Sequence, residues 1–104
     1  MSEVVWTELK DAKVRELVDG VRLRTLWEGD NGARAIVLEI DPGCSFGSLD
    51  VHKPGPEEVY VVAGIFNDGV RDYQPGTFIH NPSGSSHWPQ SISGCTLFVF
   101  FPEG

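Results

Sequence analysis

The fold is decided by two stretches, Gly47-Ser48-Leu49-Asp50-Val51-His52-Lys53-Pro54-Gly55-Pro56-Glu57 and Gly76-Thr77-Phe78-Ile79-His80-Asn81-Pro82-Ser83-Gly84-Ser85-Ser86-His87. Each places an imidazole or carboxylate at a strand end or in a Gly/Pro-rich turn, where side chains from separate strands converge. Asp50 and His52 stand two apart, so on a strand they project from one face. Lys53-Pro54-Gly55-Pro56 cannot continue a paired strand, because its two prolines remove two ladder donors. It reads as a turn that swings Glu57 back over the same opening. Glu57, Val59, Val61 and Ala63 then share one face of the next strand. An acid at the mouth of such an apolar face needs a partner, and a metal or a histidine would serve. Downstream, Pro82-Ser83-Gly84 is a second turn, and it delivers His87. Two histidines with one or two carboxylates form a donor set for a divalent first-row transition metal with open coordination positions.

The flanking sequence predicts strands throughout. Residues 21–27 alternate apolar and polar, as a half-buried strand does. Asp30-Asn31-Gly32 supplies a hairpin turn, residues 33–40 return, and Asp41-Pro42-Gly43 ends the pair. Residues 59–66 form a nearly unbroken apolar run closed by Asn67-Asp68-Gly69, and residues 77–81 and 96–101 complete the set. Strands at this density predict an all-β fold, a sandwich or a closed barrel. Helical tendency is confined to residues 9–18. Residues 1–20 are expected to form an arm or extra strand packed on the barrel or on a second subunit, and residues 21–104 the barrel itself.

A chain of 104 residues with 40% apolar content has room for one core and needs no disulfide staples. The net charge is −7, and the eight Lys and Arg are scattered without a basic run. That excludes nucleic acid and anionic membrane surfaces as expected partners, since both require clustered positive charge. No apolar run approaches the length of a membrane span, and the first residues lack a charged and then apolar leader pattern. The cytoplasm is the expected location. Cys44 and Cys95 each follow a glycine at the edge of an apolar run and read as small buried hydrophobes, a disulfide or a redox-sensing thiol being the alternatives.

The pattern D-x-H-x4-E-x6-G from Asp50 to Gly64, with Gly47 upstream, and the pattern G-x5-P-x-G-x2-H-x3-S from Gly76 to Ser91 resemble the two signature motifs of the cupin superfamily. The chain departs from the family pattern at Asp50, where the first histidine of a His-x-His pair is expected, and at Ser91, in the place of an asparagine. Within cupins, Glu57-Glu58-Val59-Tyr60-Val61-Val62, Tyr73-Gln74-Pro75-Gly76-Thr77-Phe78 and Ser93-Gly94-Cys95 are similar to the ChrR-type anti-sigma factor cupin domain. That subgroup resemblance also takes in small dioxygenases that cleave β-diketones. It implies a single double-stranded β-helix (jelly-roll) barrel, a homodimer, and a divalent ion (Fe, Zn, Mn or Ni) held by His52, Glu57 and His87 with Asp50 in the fourth place. The implied activity is oxygenase- or isomerase-like chemistry on a small organic molecule. The alternatives are a non-catalytic small-molecule or oxidant sensor and a metal-free binding cupin, in which Asp50 and Glu57 would pair the histidines. ChrR-type proteins hold their sigma factor through a separate zinc-binding helical domain. Residues 1–20 contain neither Cys nor His, so sigma-factor binding is not implied.

The remaining polar candidates have plainer readings. His80 is a surface or pocket-wall residue, Glu58 faces away from Glu57, and Ser83, Ser85 and Ser86 are turn residues without a nucleophile elbow. Phe46, Tyr60 and Trp88 are the aromatic candidates for the pocket wall. Lys53, Arg34 and Arg71 are the cations within reach of a pocket. An apolar wall beside the ion favours a small, weakly polar ligand over a phosphorylated sugar.

Overall fold

The structure, a computed structural model, describes residues 3–104. Met1 and Ser2, where the expected arm begins, lie outside the described residues. A 3-10 turn at Leu9–Asp11 leads into β1 (Lys13–Val18), β2 (Val21–Glu28), β3 (Arg34–Ile40), β4 (Cys44–Ser45) and β5 (Asp50–Val51). These are followed by β6 (Glu57–Gly64), β7 (Phe66–Asn67), β8 (Asp72–Tyr73), β9 (Phe78–Asn81), β10 (Ser86–His87), β11 (Gln90–Ser91) and β12 (Cys95–Phe101).

The long strands make a six-stranded antiparallel sheet in the order β1-β2-β3-β12-β6-β9. The short ones make a four-stranded sheet, β4-β11-β7-β8, and a separate ribbon, β5-β10. Alternation along each long strand decides which side is core. Val59 and Val61 on β6 and Leu97 and Val99 on β12 are buried, while Tyr60, Val62 and Phe98 between them are exposed. The inward set packs with Val21, Leu23, Ile36 and Ile40 against Phe66 of the smaller sheet, with Phe46 and Tyr73 alongside. The core is therefore the space between the two sheets, and one end of it is closed by the ribbon and the loops around it.

Residues 59–66 do not run as one strand. The chain breaks at Gly64-Ile65 and moves from the large sheet to the small one. Gly64 has φ of +72°, and a Cβ there would meet the Gly94 carbonyl oxygen at 2.0 Å. Apolar content cannot distinguish a straight strand from one that turns this corner; the glycine can. Helical structure in residues 9–18 is limited to the short 3-10 turn, and residues 13–18 pair antiparallel with β2 instead.

Candidate metal centre

The β5–β10 ribbon joins the two sequence motifs. Asp50 and His87 are register partners across it, as are Val51 and Ser86. Beyond the ribbon the pairing continues through irregular backbone: the His52 amide donates to the Ser85 carbonyl at 2.9 Å, and the Gly84 amide donates to the His52 carbonyl at 2.8 Å. The intervening turns are held by serines, with Ser83 Oγ donating to the Pro54 carbonyl and Ser85 Oγ to the Pro82 carbonyl. Turn chemistry thus accounts for both hydroxyls. Glu57 enters from the large sheet as the first residue of β6, opposite Asn81 of β9, whose side-chain amide donates to Glu57 Oε1 at 3.3 Å.

These elements bring Asp50, His52, Glu57 and His87 together, with one donor atom from each lying within 4.8 Å of the others. His87 Nε2 is 3.2 Å from Asp50 Oδ2 and 3.7 Å from Glu57 Oε1. His52 Nδ1 is 3.5 Å from Glu57 Oε2 and 3.9 Å from Asp50 Oδ2. The two imidazoles meet edge to face with centroids 4.4 Å apart, and Phe66 stands against His87. His52, Glu57 and His87 are 4%, 6% and 8% exposed, whereas Asp50 is part-open and lines the cavity. Their ionisation reflects that burial. Burial pushes the Glu57 carboxyl up to about 7, with the Asp50 carboxylate adding to the shift and His87, Asn81 and Arg34 opposing it. Burial also lowers the His52 imidazole below its ordinary value, assisted by His87 and opposed by Asp50.

The donor set fits a divalent cation. Donors that share an ion at about 2.1 Å stand roughly 3 to 4 Å apart, which is the range of the four separations above. Three of those separations are too long for ordinary hydrogen bonds, so the imidazoles do not satisfy the carboxylates by themselves. Two carboxyl groups, one of them buried, gathered with two imidazoles at separations mostly too long for hydrogen bonding form a donor-rich cluster that a divalent ion would neutralise. On the far sides of the rings, His52 Nε2 and His87 Nδ1 are buried without a hydrogen-bond partner among the described residues. Packing, more than a second layer of hydrogen bonds, fixes the ring orientations.

A cavity of about 230 Å³ opens beside these residues, lined among others by Phe46, Phe66, Leu97, Val99 and Phe101. Phe46 is in this lining; Tyr60 and Trp88 are not. Tyr60 alternates with the buried Val59 and Val61 and so lies on the outer face of the large sheet. Trp88 follows His87 and points the other way, with its indole N–H donating to Ser45 Oγ at 3.0 Å. Adjacency in sequence to a buried residue places a strand neighbour on the opposite side. His80 lies on the outside too, paired with Glu58 across β6 and β9. Of the three cations considered, Arg34 and Lys53 reach the cavity and Arg71 does not. Arg15 also lines it; the expected arm or extra strand over residues 1–20 carried no assignment of which residues face inward. Ser91 is buried and donates to the Ile65 carbonyl at the sheet-switching corner, away from the donor cluster. Cys44 and Cys95 are both free thiols, half-buried and buried respectively.

Two facing sheets closing round a His/Asp/Glu cluster define a single-domain cupin barrel. The family model of the ChrR cupin-like domain matches residues 2–103, and the chain belongs to that family. No protein of curated function matches the sequence. Among solved structures, an RmlC-like cupin from Shewanella frigidimarina NCIMB 400 superposes with a TM-score of 0.82 at 18% identity, covering 98% of this chain and 93% of that one. A chain of the Rhodobacter sphaeroides complex of SigE with the anti-sigma ChrR gives 0.75 at 26% identity, covering 89% of this chain and 50% of that one. An acetylacetone dioxygenase from Acinetobacter johnsonii gives 0.80 at 14% identity, over 98% and 74%. Likenesses at such low identity establish the shared barrel; function has to be argued from the site.

Proposed function

We propose that the protein binds a divalent transition metal through His52, Glu57, His87 and Asp50 and acts on a small organic molecule held in the adjoining cavity, in oxygenase- or isomerase-like chemistry. The observation that carries this reading is the convergence of four donor atoms within 4.8 Å beside a cavity whose remaining lining is mostly apolar. A bound ion there supplies Lewis acidity toward an enol or carbonyl oxygen and, if it is iron, a route to dioxygen. The chain contributes the rest. Phe46, Phe66, Leu97 and Val99 keep bulk water from the reacting groups, the ribbon fixes His87 against Asp50, and Asn81 orients Glu57.

The test is elemental analysis of protein purified without chelators, beside His87→Ala. Near-stoichiometric iron, manganese, nickel or zinc that disappears in the variant supports the reading. A wild-type protein that stays metal-free after reconstitution overturns it. A second reading, a ChrR-like module that binds a small molecule or oxidant without turnover, is favoured by the family match and by the likeness to the SigE–ChrR complex, half of whose matched chain this sequence spans. Metal uptake without turnover on a substrate screen under oxygen would select it.

We further propose a homodimer in the cytoplasm. Two free thiols suit a reducing compartment. Support for pairing is the outer face of the large sheet, where Phe98, Tyr60 and Phe78 form one cross-strand row and all three side chains are exposed, with Val62 beside them.

A further inference from the structure

We propose that the cavity selects a small, largely apolar molecule carrying one anionic group, and that Arg34 is the residue that receives that group; this rests on the metal-centre reading and extends it to the class of ligand. Arg34 opens β3 on the inward face and lines the cavity. Its guanidinium carbon lies 4.3 Å from the centroid of Phe101, its register partner on β12. Because Phe100 pairs with Glu58, the same register sets Phe101 opposite Glu57. The ring therefore stands between Arg34 and the donor cluster, with one cation and one metal-binding group on either side of it.

The arginines of this chain differ in what they bond. Arg22 and Arg24 both pair with Glu39, and Arg22 also reaches Asp41. Among the described residues Arg34 has no carboxylate within 4.0 Å, although it is half-buried. The contact with the Phe101 ring uses none of the five guanidinium N–H donors, which lie in the guanidinium plane and make no side-chain hydrogen bond to another of the described residues. A planar fork of that kind matches a carboxylate or another oxyanion.

Charge counting points the same way. A divalent ion cancels the two carboxylates of Asp50 and Glu57. Arg34 then remains as a half-buried cation lining the cavity, with Arg15 and Lys53, both exposed, also in the lining, in a chain whose net charge is −7. Within low-dielectric walls such a pocket concentrates anions although the protein as a whole repels them. Apart from the donor cluster the lining is mostly hydrocarbon, Leu17, Leu23, Ile36, Phe66, Leu97 and Val99 among it, and the volume of about 230 Å³ admits only a small molecule. An acid with a short apolar body meets all three constraints, whereas a neutral sugar leaves the charge of Arg34 without a counter-ion and sets hydroxyls against the apolar wall.

The experiment compares short aliphatic carboxylates, from propionate to hexanoate, with their primary amides, binding being followed by NMR shift perturbation. It uses the zinc-loaded full chain and the chelator-treated full chain, each as wild type, Arg34→Met and Arg34→Lys. The wild type is expected to bind the acid more tightly than the amide in both metal states, by at least tenfold in the zinc-loaded one, where the ion offsets Asp50 and Glu57. Arg34→Met should erase that preference at unchanged zinc content, and Arg34→Lys should keep part of it, which separates lost charge from lost folding. Equal binding of acid and amide by the wild type overturns the proposal. So does a preference that survives Arg34→Met and disappears with zinc, since the anion would then belong to the ion. Failure to take up zinc would sink the metal reading alone, because the chelator-treated comparison still reports on Arg34.

Discussion

Asp50 and His87 face each other across the two-residue β5–β10 ribbon, with Asp50 Oδ2 3.2 Å from His87 Nε2. One belongs to the first sequence motif and the other to the second, so this pair ties the two halves of the cluster together. The shorter aspartate reaches the cluster because its backbone is hydrogen-bonded directly to the strand that carries the histidine.

That geometry separates the roles of the two residues in metal affinity. His87 is buried, and its replacement leaves a hole at the centre of the donor set. His87→Ala is expected to weaken metal binding by about 100-fold or more, whereas Asp50→Ala, at the open side, should cost roughly 10- to 100-fold. Competition titration with a chromophoric chelator measures both. An Asp50→Ala loss equal to that of His87→Ala would mean that the open side is as essential as the buried one.

Metal should also stabilise the fold, because the four donors come from β5, the following loop, β6 and β10 and meet only in the folded chain. Free metal at 100 times its dissociation constant contributes about 2.7 kcal/mol, which for a domain of this size raises Tm by about 10 °C or more. Scanning calorimetry with and without a chelator checks this. A Tm indifferent to metal would exclude the four residues as a common site.

The cluster and the barrel were legible in the sequence for a physical reason. The Pro-Gly turns at 53–56 and 82–84 permit few backbone paths, so the residues flanking them converge. The cavity wall was less legible. Tyr60 and Trp88 are aromatic and stand near the motifs, but strand alternation places both outside. Arg15 was hidden because residues 9–18 carry a mixed helical and extended pattern, and only pairing with β2 settles which face is inward. Conversely Gly64 carried the break in residues 59–66, but an apolar run on both sides masked it.

The corner at Gly64 predicts a large effect from one methyl group. Gly64→Ala combines a positive φ with a Cβ 2.0 Å from the Gly94 oxygen, both of which force backbone movement. A loss of about 3 kcal/mol or more is expected. Gly43→Ala has φ of +77° but nothing within 4 Å of the new Cβ, so only the backbone strain of about 1 kcal/mol applies. Urea denaturation of the two variants should preserve this order, and equal losses would show that the corner relaxes freely.

Acid sensitivity away from the cluster should centre on Asp68. Its carboxylate accepts from the Val70 and Arg71 amides at 2.9 and 3.0 Å and from the Tyr73 hydroxyl at 2.7 Å. Burial opposes ionisation, but these donors together hold the carboxyl below its ordinary value. A folded-state value below the unfolded one gives stability that is present above about pH 4 and lost as the pH falls through the folded value. Asp68→Asn should therefore cost about 1 kcal/mol at pH 7, and the difference from wild type should shrink below about pH 4. Parallel denaturation curves at pH 7 and pH 3.5 measure it; a gap that does not narrow would assign the loss to packing.

The proposed dimer makes a prediction about area. Phe78 is 63% exposed, Tyr60 45%, Val62 52% and Phe98 37%, an apolar patch on one flat sheet face. Side chains of this size at these exposures present roughly 400 Å², about half of the ~800 Å² that each partner contributes to a standard interface. Val4, Val5 and Trp6 supply a similar area, being 85%, 68% and 80% exposed on a segment tied down at Thr7, whose hydroxyl donates to the Leu26 carbonyl. Among the described residues the chain thus carries an exposed apolar arm and an exposed apolar sheet face, and the proposed homodimer would have to bury one or both. Tyr60→Glu with Phe78→Glu, and separately Trp6→Ser, are expected to shift wild-type dimer to monomer in sedimentation equilibrium without lowering metal content, since none of these residues lines the cavity. A wild type that stays monomeric at high micromolar concentration, or a dimer that survives both sets of changes, would remove this face from the interface.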